Sequence, residues 1–282
     1  TVYVADVNKL QALDPFTLET KWEYSDDMDC IDVADDGTVV AGSASGTTGY
    51  EFNPDDGTVN WSNTFADTCY GVGITDDASL AIYGTTGGIF AYDTSTRNEA
   101  WSASPEGTPQ HIRTYDGVVY IGMGGGTFQG IVALDAADGT ELWTYAMGDT
   151  VDSFAIDTGR DQIYVGNRGG PLDAIDLSGN NVWTYTPSSV GTHGVDLAPG
   201  GNRVVVGDGN TLALLDPADG TELTTHSFPD IGMTSVGLPT HSDLDGIASR
   251  AMIYDEGTEN RNARNEVDLW DGVLEVVETY DA

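Results

Sequence analysis

Positive charge is what this sequence most lacks. Its 282 residues carry 46 acidic side chains against 10 basic ones, a net charge of −36, and only two of the ten, Lys9 and Lys21, are lysines. No basic patch exists to neutralise phosphates, which excludes a nucleic-acid partner. No apolar run reaches the length of about 18 residues that a membrane-spanning helix needs. Cysteine is scarce too: Cys30 and Cys69 are the only two, and their spacing fits no zinc motif. There is no initiator Met and no signal peptide. The chain opens on an expected strand, Val2–Ala5, and reads as a mature or trimmed product.

A surface this acidic repels itself. Molar salt shortens the Debye length to about 3 Å and removes most of that cost. The acidic residues are spread through turns along the whole chain, unlike those of a disordered acidic tail. The composition resembles that of proteins from extreme halophiles, such as haloarchaea and their viruses.

What is present is repetition. Ile131–Tyr145 reads as a β-hairpin: an apolar run ends at Leu134, a turn holds Asp138-Gly139, and a second strand carries Trp143. The same unit recurs as Asp14 leading to Trp22, Asn53 to Trp61, Asp93 to Trp101, Asp176 to Trp183, and Asp216 to Thr224, where the Trp is missing. Successive Trp positions lie 39, 40, 42 and 40 residues apart, and Thr224 follows 41 after Trp183. A period near 40 with four short strands per unit marks a β-propeller. The length fits seven units in one domain: an all-β, seven-bladed propeller of four-stranded antiparallel blades, at 1–26, 27–65, 66–105, 106–147, 148–187, 188–228 and 229–282. Blade four shows the parse, with strands expected at 110–114, 118–123, 130–134 and 141–146. Blade one has room for only three strands and lacks its own innermost one. That strand is expected upstream of Thr1; a partner's strand or a three-stranded blade are the alternatives.

The repeated Trp has a packing explanation. Trp22, Trp61, Trp101, Trp143 and Trp183 are expected to wedge between neighbouring sheets. Each would bury roughly 150–250 Å² and contribute about 4–6 kcal/mol gross. Thr224 should mark the loosest contact. Cys30 and Cys69, one period apart, are expected on the innermost strands of adjacent blades, either as an inter-blade disulfide or as two buried thiols.

At these residues the chain resembles a family. The pattern Ala-Leu-Asp leading to Gly and Trp, as in Ala133–Trp143, looks like the pyrroloquinoline-quinone-type repeat. That repeat builds quinoprotein dehydrogenases and also cofactor-free propellers, such as the lipoprotein subunit of the bacterial outer-membrane assembly machine. The resemblance implies the fold for the whole chain. The catalytic members are usually eight-bladed and hold their quinone with an aromatic platform, an Arg, a carboxylate-bound calcium and often adjacent cysteines. Adjacent cysteines and long capping insertions are missing here, so no cofactor residue carries over, and neither catalytic residues nor cofactors are expected.

Other motifs fail on context. Gly42-Ser43-Ala44-Ser45-Gly46 has Ala44 where a nucleophile elbow needs its nucleophile. The glycines at 87–88, 124–126 and 169–170 read as turns between strands. His111 and His193 lie near the starts of inner strands. With Arg113, Asp29, Asp152 and Asp196 they outline a candidate ligand or metal site at the channel mouth, against the plainer reading of a solvated polar lining. Asp243 and Asp245 could ligate calcium but lack a third carboxylate. Asn60-Trp61-Ser62 is the only glycosylation sequon, on an expected outer strand. The polar stretch Asp255 to Glu266, with Arg261 and Arg264, reads as a surface loop or a partner contact.

The function expected from these features is a non-enzymatic interaction or adhesion module on the outside of a halophile cell or on a virion surface. It would bind a protein or glycan, within a larger assembly. An envelope assembly scaffold and a quinoprotein-like oxidoreductase working at the channel mouth are the alternatives.

Overall fold

The computed structural model describes residues 1–6, 8–28, 30–43, 46–187, 191–198, 200–208, 211–227, 233–237, 250–255, 264–268 and 275–280, the last four segments as backbone only. These hold 27 strands and no helix. The chain divides into two compact units, Thr1–Ala146 and Met147–Ala282.

The first unit has four antiparallel meanders. The first is three-stranded: β1 (Val2–Asp6), β2 (Lys9–Leu13), β3 (Thr20–Tyr24). Three four-stranded sheets follow. They are β4 (Cys30–Val33), β5 (Val39–Gly42), β6 (Thr48–Phe52), β7 (Val59–Thr64); β8 (Cys69–Ile74), β9 (Leu80–Thr85), β10 (Gly88–Asp93), β11 (Glu99–Ala103); and β12 (Thr108–Tyr115), β13 (Val118–Gly124), β14 (Gly130–Asp135), β15 (Glu141–Ala146). The second unit has three four-stranded sheets. These are β16 (Val151–Asp157), β17 (Gln162–Asn167), β18 (Leu172–Asp176), β19 (Asn181–Tyr185); β20 (Gly194–Leu197), β21 (Val204–Asp208), β22 (Thr211–Leu215), β23 (Glu222–Ser227); and β24 (Met233–Gly237), β25 (Arg250–Asp255), β26 (Arg264–Asp268), β27 (Glu275–Tyr280).

Within each unit the first strands of neighbouring sheets pack side by side: β4, β8 and β12 in one, β16, β20 and β24 in the other. Such sheets are the blades of a β-propeller. In the first sheet β2 and β3 carry the Ala12–Trp22 pair, as third and fourth strands do elsewhere. Its three strands therefore correspond to the second, third and fourth strands of the other sheets.

The core lies between sheets. Leu10, Trp22, Met28, Val39 and Phe52 fill the first gap, and Ile82, Ile89, Trp101, Val119, Ile121 and Leu134 the gap between the third and fourth sheets. In the second unit Tyr164, Leu172, Trp183, Val204, Val206 and Leu215 play the same part.

One contact recurs in these gaps. The indole Nε1–H of Trp22 donates to the Pro54 carbonyl at 2.9 Å, Trp101 to Ala136 at 2.7 Å and Trp183 to Pro217 at 3.0 Å. Each acceptor is the second residue of the β-hairpin turn in the next sheet. Its fifth residue, Gly57, Gly139 or Gly220, has φ of +70, +73 and +72°. A Cβ there would lie 2.5 Å from the indole. Glycine is thus required twice, by the left-handed backbone and by the ring lying on it.

Two sheets depart from this pattern, each with a compensation. Across the strand from Trp22, Trp101, Trp143 and Trp183 stands an alanine, Ala12, Ala91, Ala133 or Ala174. Beside Trp61 stands Glu51, and the following turn has Arg97 in the glycine position, at φ +64°. Arg97 makes a bidentate ion pair with the buried Glu51. Trp61 is accordingly half-buried, not fully wedged, and packs on Tyr83 and Tyr92. Trp143 is also half-buried, against Tyr120. Beside Thr224 stands Leu214 in place of alanine. The volume lost at one position returns at its neighbour, which fits the need for constant core volume.

The turn aspartates have a local role. Asp14 Oδ1 accepts the N–H groups of Phe16 and Thr17, and Asp93 Oδ1 those of Ser95 and Thr96. Asp56, Asp138 and Asp219 accept from Thr58, Thr140 and Thr221. These hydrogen bonds stabilise the ionised form. Backbone N–H groups hold Asp14, Asp56 and Asp138 below the usual carboxylate range, while the Thr221 hydroxyl leads for Asp219. The Ser95 hydroxyl leads for Asp93, brought down to about 2.

Two outcomes are expected. Trp101→Ala should cost about 3–5 kcal/mol and Trp61→Ala about 1–3 kcal/mol, read from urea unfolding in molar potassium chloride. Groups whose folded pKa is depressed stabilise fully above about pH 4 and lose that contribution as pH falls towards 2. In molar salt the melting temperature should therefore fall between pH 5 and pH 2. In dilute buffer the same protonation also relieves the −36 charge and should offset the fall.

Candidate functional site

Several of the inner strands share a feature that positions side chains. Where β8 pairs with β9, β12 with β13 and β16 with β17, the register shifts by one residue near the start of the inner strand. The extra residues are Tyr70, Gln110 and Asp152. A bulge re-aims a side chain without ending the sheet, and bulges concentrate beside functional sites.

In the first unit these strands form a groove of about 500 Å³. Tyr3, Cys30, Tyr70, Gln110, His111 and Arg113 contribute to its walls, with Ile31, Val72 and Ile112 as apolar floor. Two predicted residues, His111 and Arg113, thus come together, both exposed on β12. Arg113 lies 3.8 Å from Asp32 of β4, a residue the sequence did not single out. Asp32 Oδ2 also accepts the Ile74 N–H of β8 at 3.0 Å. Burial pushes the Asp32 carboxyl up, and Arg113 partly offsets this.

In the second unit Asp152 is the centre. Its carboxylate takes Arg168 Nη2 at 2.9 Å and Nε at 3.3 Å, and stands 2.8 Å from His193 Nδ1. Two of the candidate residues, Asp152 and His193, are therefore in direct contact, and Arg168 joins them. Asp196 does not join them in these contacts; its Oδ1 accepts the neighbouring Leu197 N–H. Asp152 has 11% of its side chain exposed, Arg168 64% and His193 24%. A fork of guanidinium on one carboxylate fixes its orientation, which in turn holds the imidazole by one nitrogen.

The other sequence expectations divide. No disulfide joins Cys30 and Cys69: both are thiols, on β4 and β8. Asn60 and Ser62 are exposed on the edge strand β7, so the sequon faces solvent. Arg264 starts β26 and so belongs to a strand, not to the expected loop; its partner Arg261 lies outside the described residues. So do Asp29, Asp243 and Asp245. Among the described residues no group of three His, Cys, Asp or Glu side chains could hold a metal ion, and no helix is long and apolar enough to cross a membrane.

The Asp152 cluster makes an asymmetric prediction, because what matters is the charge left behind. Arg168→Ala leaves the mostly buried Asp152 without its guanidinium and should cost about 2–3 kcal/mol. Asp152→Ala leaves the solvated Arg168 and should cost about 1 kcal/mol. Urea unfolding of both variants in molar salt checks the order.

Comparison with known proteins bears on the fold. Residues 50–189 match the family model described as outer membrane protein assembly factor BamB. No curated protein matches the chain. Among solved structures it is similar to BamB from Moraxella catarrhalis, at 17% identity and a TM-score of 0.70, covering 99% of this chain and 82% of that one. It is similar also to a chain of the mitotic checkpoint complex, at 17% identity and a TM-score of 0.77 over 90% and 77% of the two chains. The computationally designed Ika8 protein aligns at 15% identity and a TM-score of 0.74, over 99% and 82%. Identities this low carry the architecture and nothing finer: the chain has the fold of a β-propeller, and the likeness to the assembly-factor family lies within residues 50–189.

Proposed function

We propose that the protein is a rigid protein-binding module whose seven sheets close as one seven-bladed propeller, displayed on a halophile cell or a virion surface, with no catalytic role. The observation that carries this reading is the groove of the first unit. Tyr and Arg are the residue types that concentrate binding energy at protein interfaces, and Tyr3, Tyr70 and Arg113 stand around an apolar floor there. Their strands are held by ladders and inter-sheet bonds, so little freedom is lost on binding. The acidic composition supports the halophilic setting, since a charge of −36 is best tolerated in brine. The match of residues 50–189 to an assembly factor favours a partner protein over a glycan, and an envelope assembly role as a form of the same reading.

The test uses the whole chain, immobilised in molar potassium chloride and exposed to solubilised envelope proteins and, separately, to a glycan array. A retained protein should be held about tenfold or more weakly by Tyr70→Ala and by Arg113→Ala, with folding verified by circular dichroism. Equal retention by both variants overturns the groove as the site. Oxidation of an alcohol or sugar upon quinone addition overturns the non-enzymatic reading and supports an oxidoreductase.

A further inference from the structure

Gly42 ends β5, and its Cα partner across the ladder is Cys30 of β4. A Cβ placed on Gly42 would meet the Cys69 sulfur at 2.7 Å and the Cys30 sulfur at 3.2 Å, with Val72 also at 3.2 Å. Both sulfurs therefore border the position that a Gly42 side chain would take, no farther apart than those two distances laid end to end. They belong to different sheets, β4 and β8, whose inner strands pack directly together. The bulge that follows Cys69 re-aims the start of β8. Access differs sharply: Cys69 is fully buried, whereas Cys30 is partly exposed and lines the groove.

From this arrangement we propose that Cys30 and Cys69 are a dithiol that closes to a disulfide across the second and third sheets. With no Cβ on Gly42 to obstruct them, the sulfurs close over that residue to a bond of about 2 Å. The oxidant is a low-molecular-weight disulfide, small enough to enter the groove. The Cys30 thiolate attacks one of its sulfurs, forming a mixed disulfide and expelling one thiolate. The Cys69 thiolate then attacks the Cys30 sulfur, forming the intramolecular bond and expelling the second. The two protons of the cysteines pass through solvent to the two expelled thiolates, so one disulfide is reduced as one is made. Cys69 serves as resolving thiol because no oxidant reaches it directly.

The purified chain, treated in molar potassium chloride with oxidised glutathione, tests this. The expected result is a mass lowered by two hydrogens, no thiol titratable after unfolding, no covalent dimer, and a melting temperature raised by roughly 5–10 °C that returns on reduction. Cys69→Ser should stop with one glutathione on Cys30, and Cys30→Ser should stay unmodified while folded. Either a lasting glutathione adduct on the unaltered chain or two thiols still titratable overturns the proposal, leaving the pair as small apolar groups filling the space over Gly42. The readout is independent of any partner of the groove.

Discussion

The docking of an indole from one sheet onto the turn of the next is the constraint on which the rest depends. A four-stranded sheet buries little by itself. The stacking of a broad aromatic face on a glycine turn, with the indole N–H on that turn's carbonyl, joins apolar area to a directional bond. The bond fixes how far the sheets slide and the ring fixes how close they come. The inner strands are then set side by side, and with them the groove of the first unit and the Asp152 cluster of the second. Bulged residues on such strands, Tyr70, Gln110 and Asp152, inherit a fixed position from contacts at the far end of the sheet.

The acidic composition is accommodated by the same turns. A carboxylate that accepts its own turn's N–H groups is neutralised locally by dipoles and needs no lysine or arginine. Few cations are present, and four arginines are spent on particular acids: Arg97 on Glu51, Arg113 on Asp32, Arg168 on Asp152, and Arg160 on Asp157 at 3.1 Å. Each of these acids is half-buried or buried, where an unmatched charge costs most. Exposed carboxylates are left to solvent and salt.

The architecture was legible because it repeats. Asp or Asn, Gly and Trp at fixed offsets reveal the sheet unit, its period and the three strands of the first sheet, since each offset answers a local demand of the chain. The candidate site was legible only in part. His111, Arg113, Asp152 and His193 stand out as chemistry-bearing residues at inner strands, and two of them, Asp152 and His193, are in contact. The roles of Asp32 and Arg168 could not be seen, because they arise from side-chain contacts, across sheets for Asp32 and across the ladder of one sheet for Arg168, that repeat spacing does not encode. The bulges were also hidden: one extra residue in a short strand leaves no mark on a pattern whose period is two. The exchange of Ala and Trp for Leu214 and Thr224 was visible as a missing Trp, but its remedy lay on the neighbouring strand.

The joint between the second and third sheets holds an evolutionary consequence. The joints with a buried Trp use alanine beside it and glycine in the facing turn; this one, with its half-buried Trp61, uses Glu51 and Arg97. Neither replacement is tolerable alone. Glutamate without the arginine is a buried, unmatched anion, and arginine without the glutamate is a left-handed residue with nothing to hold. The two states are thus separate peaks, and single-step drift between them passes through a weakened protein. A joint so locked keeps its own lineage record: blades that carry the pair cannot be exchanged one by one for blades that carry alanine and glycine, and the repeats of this chain are no longer interchangeable parts.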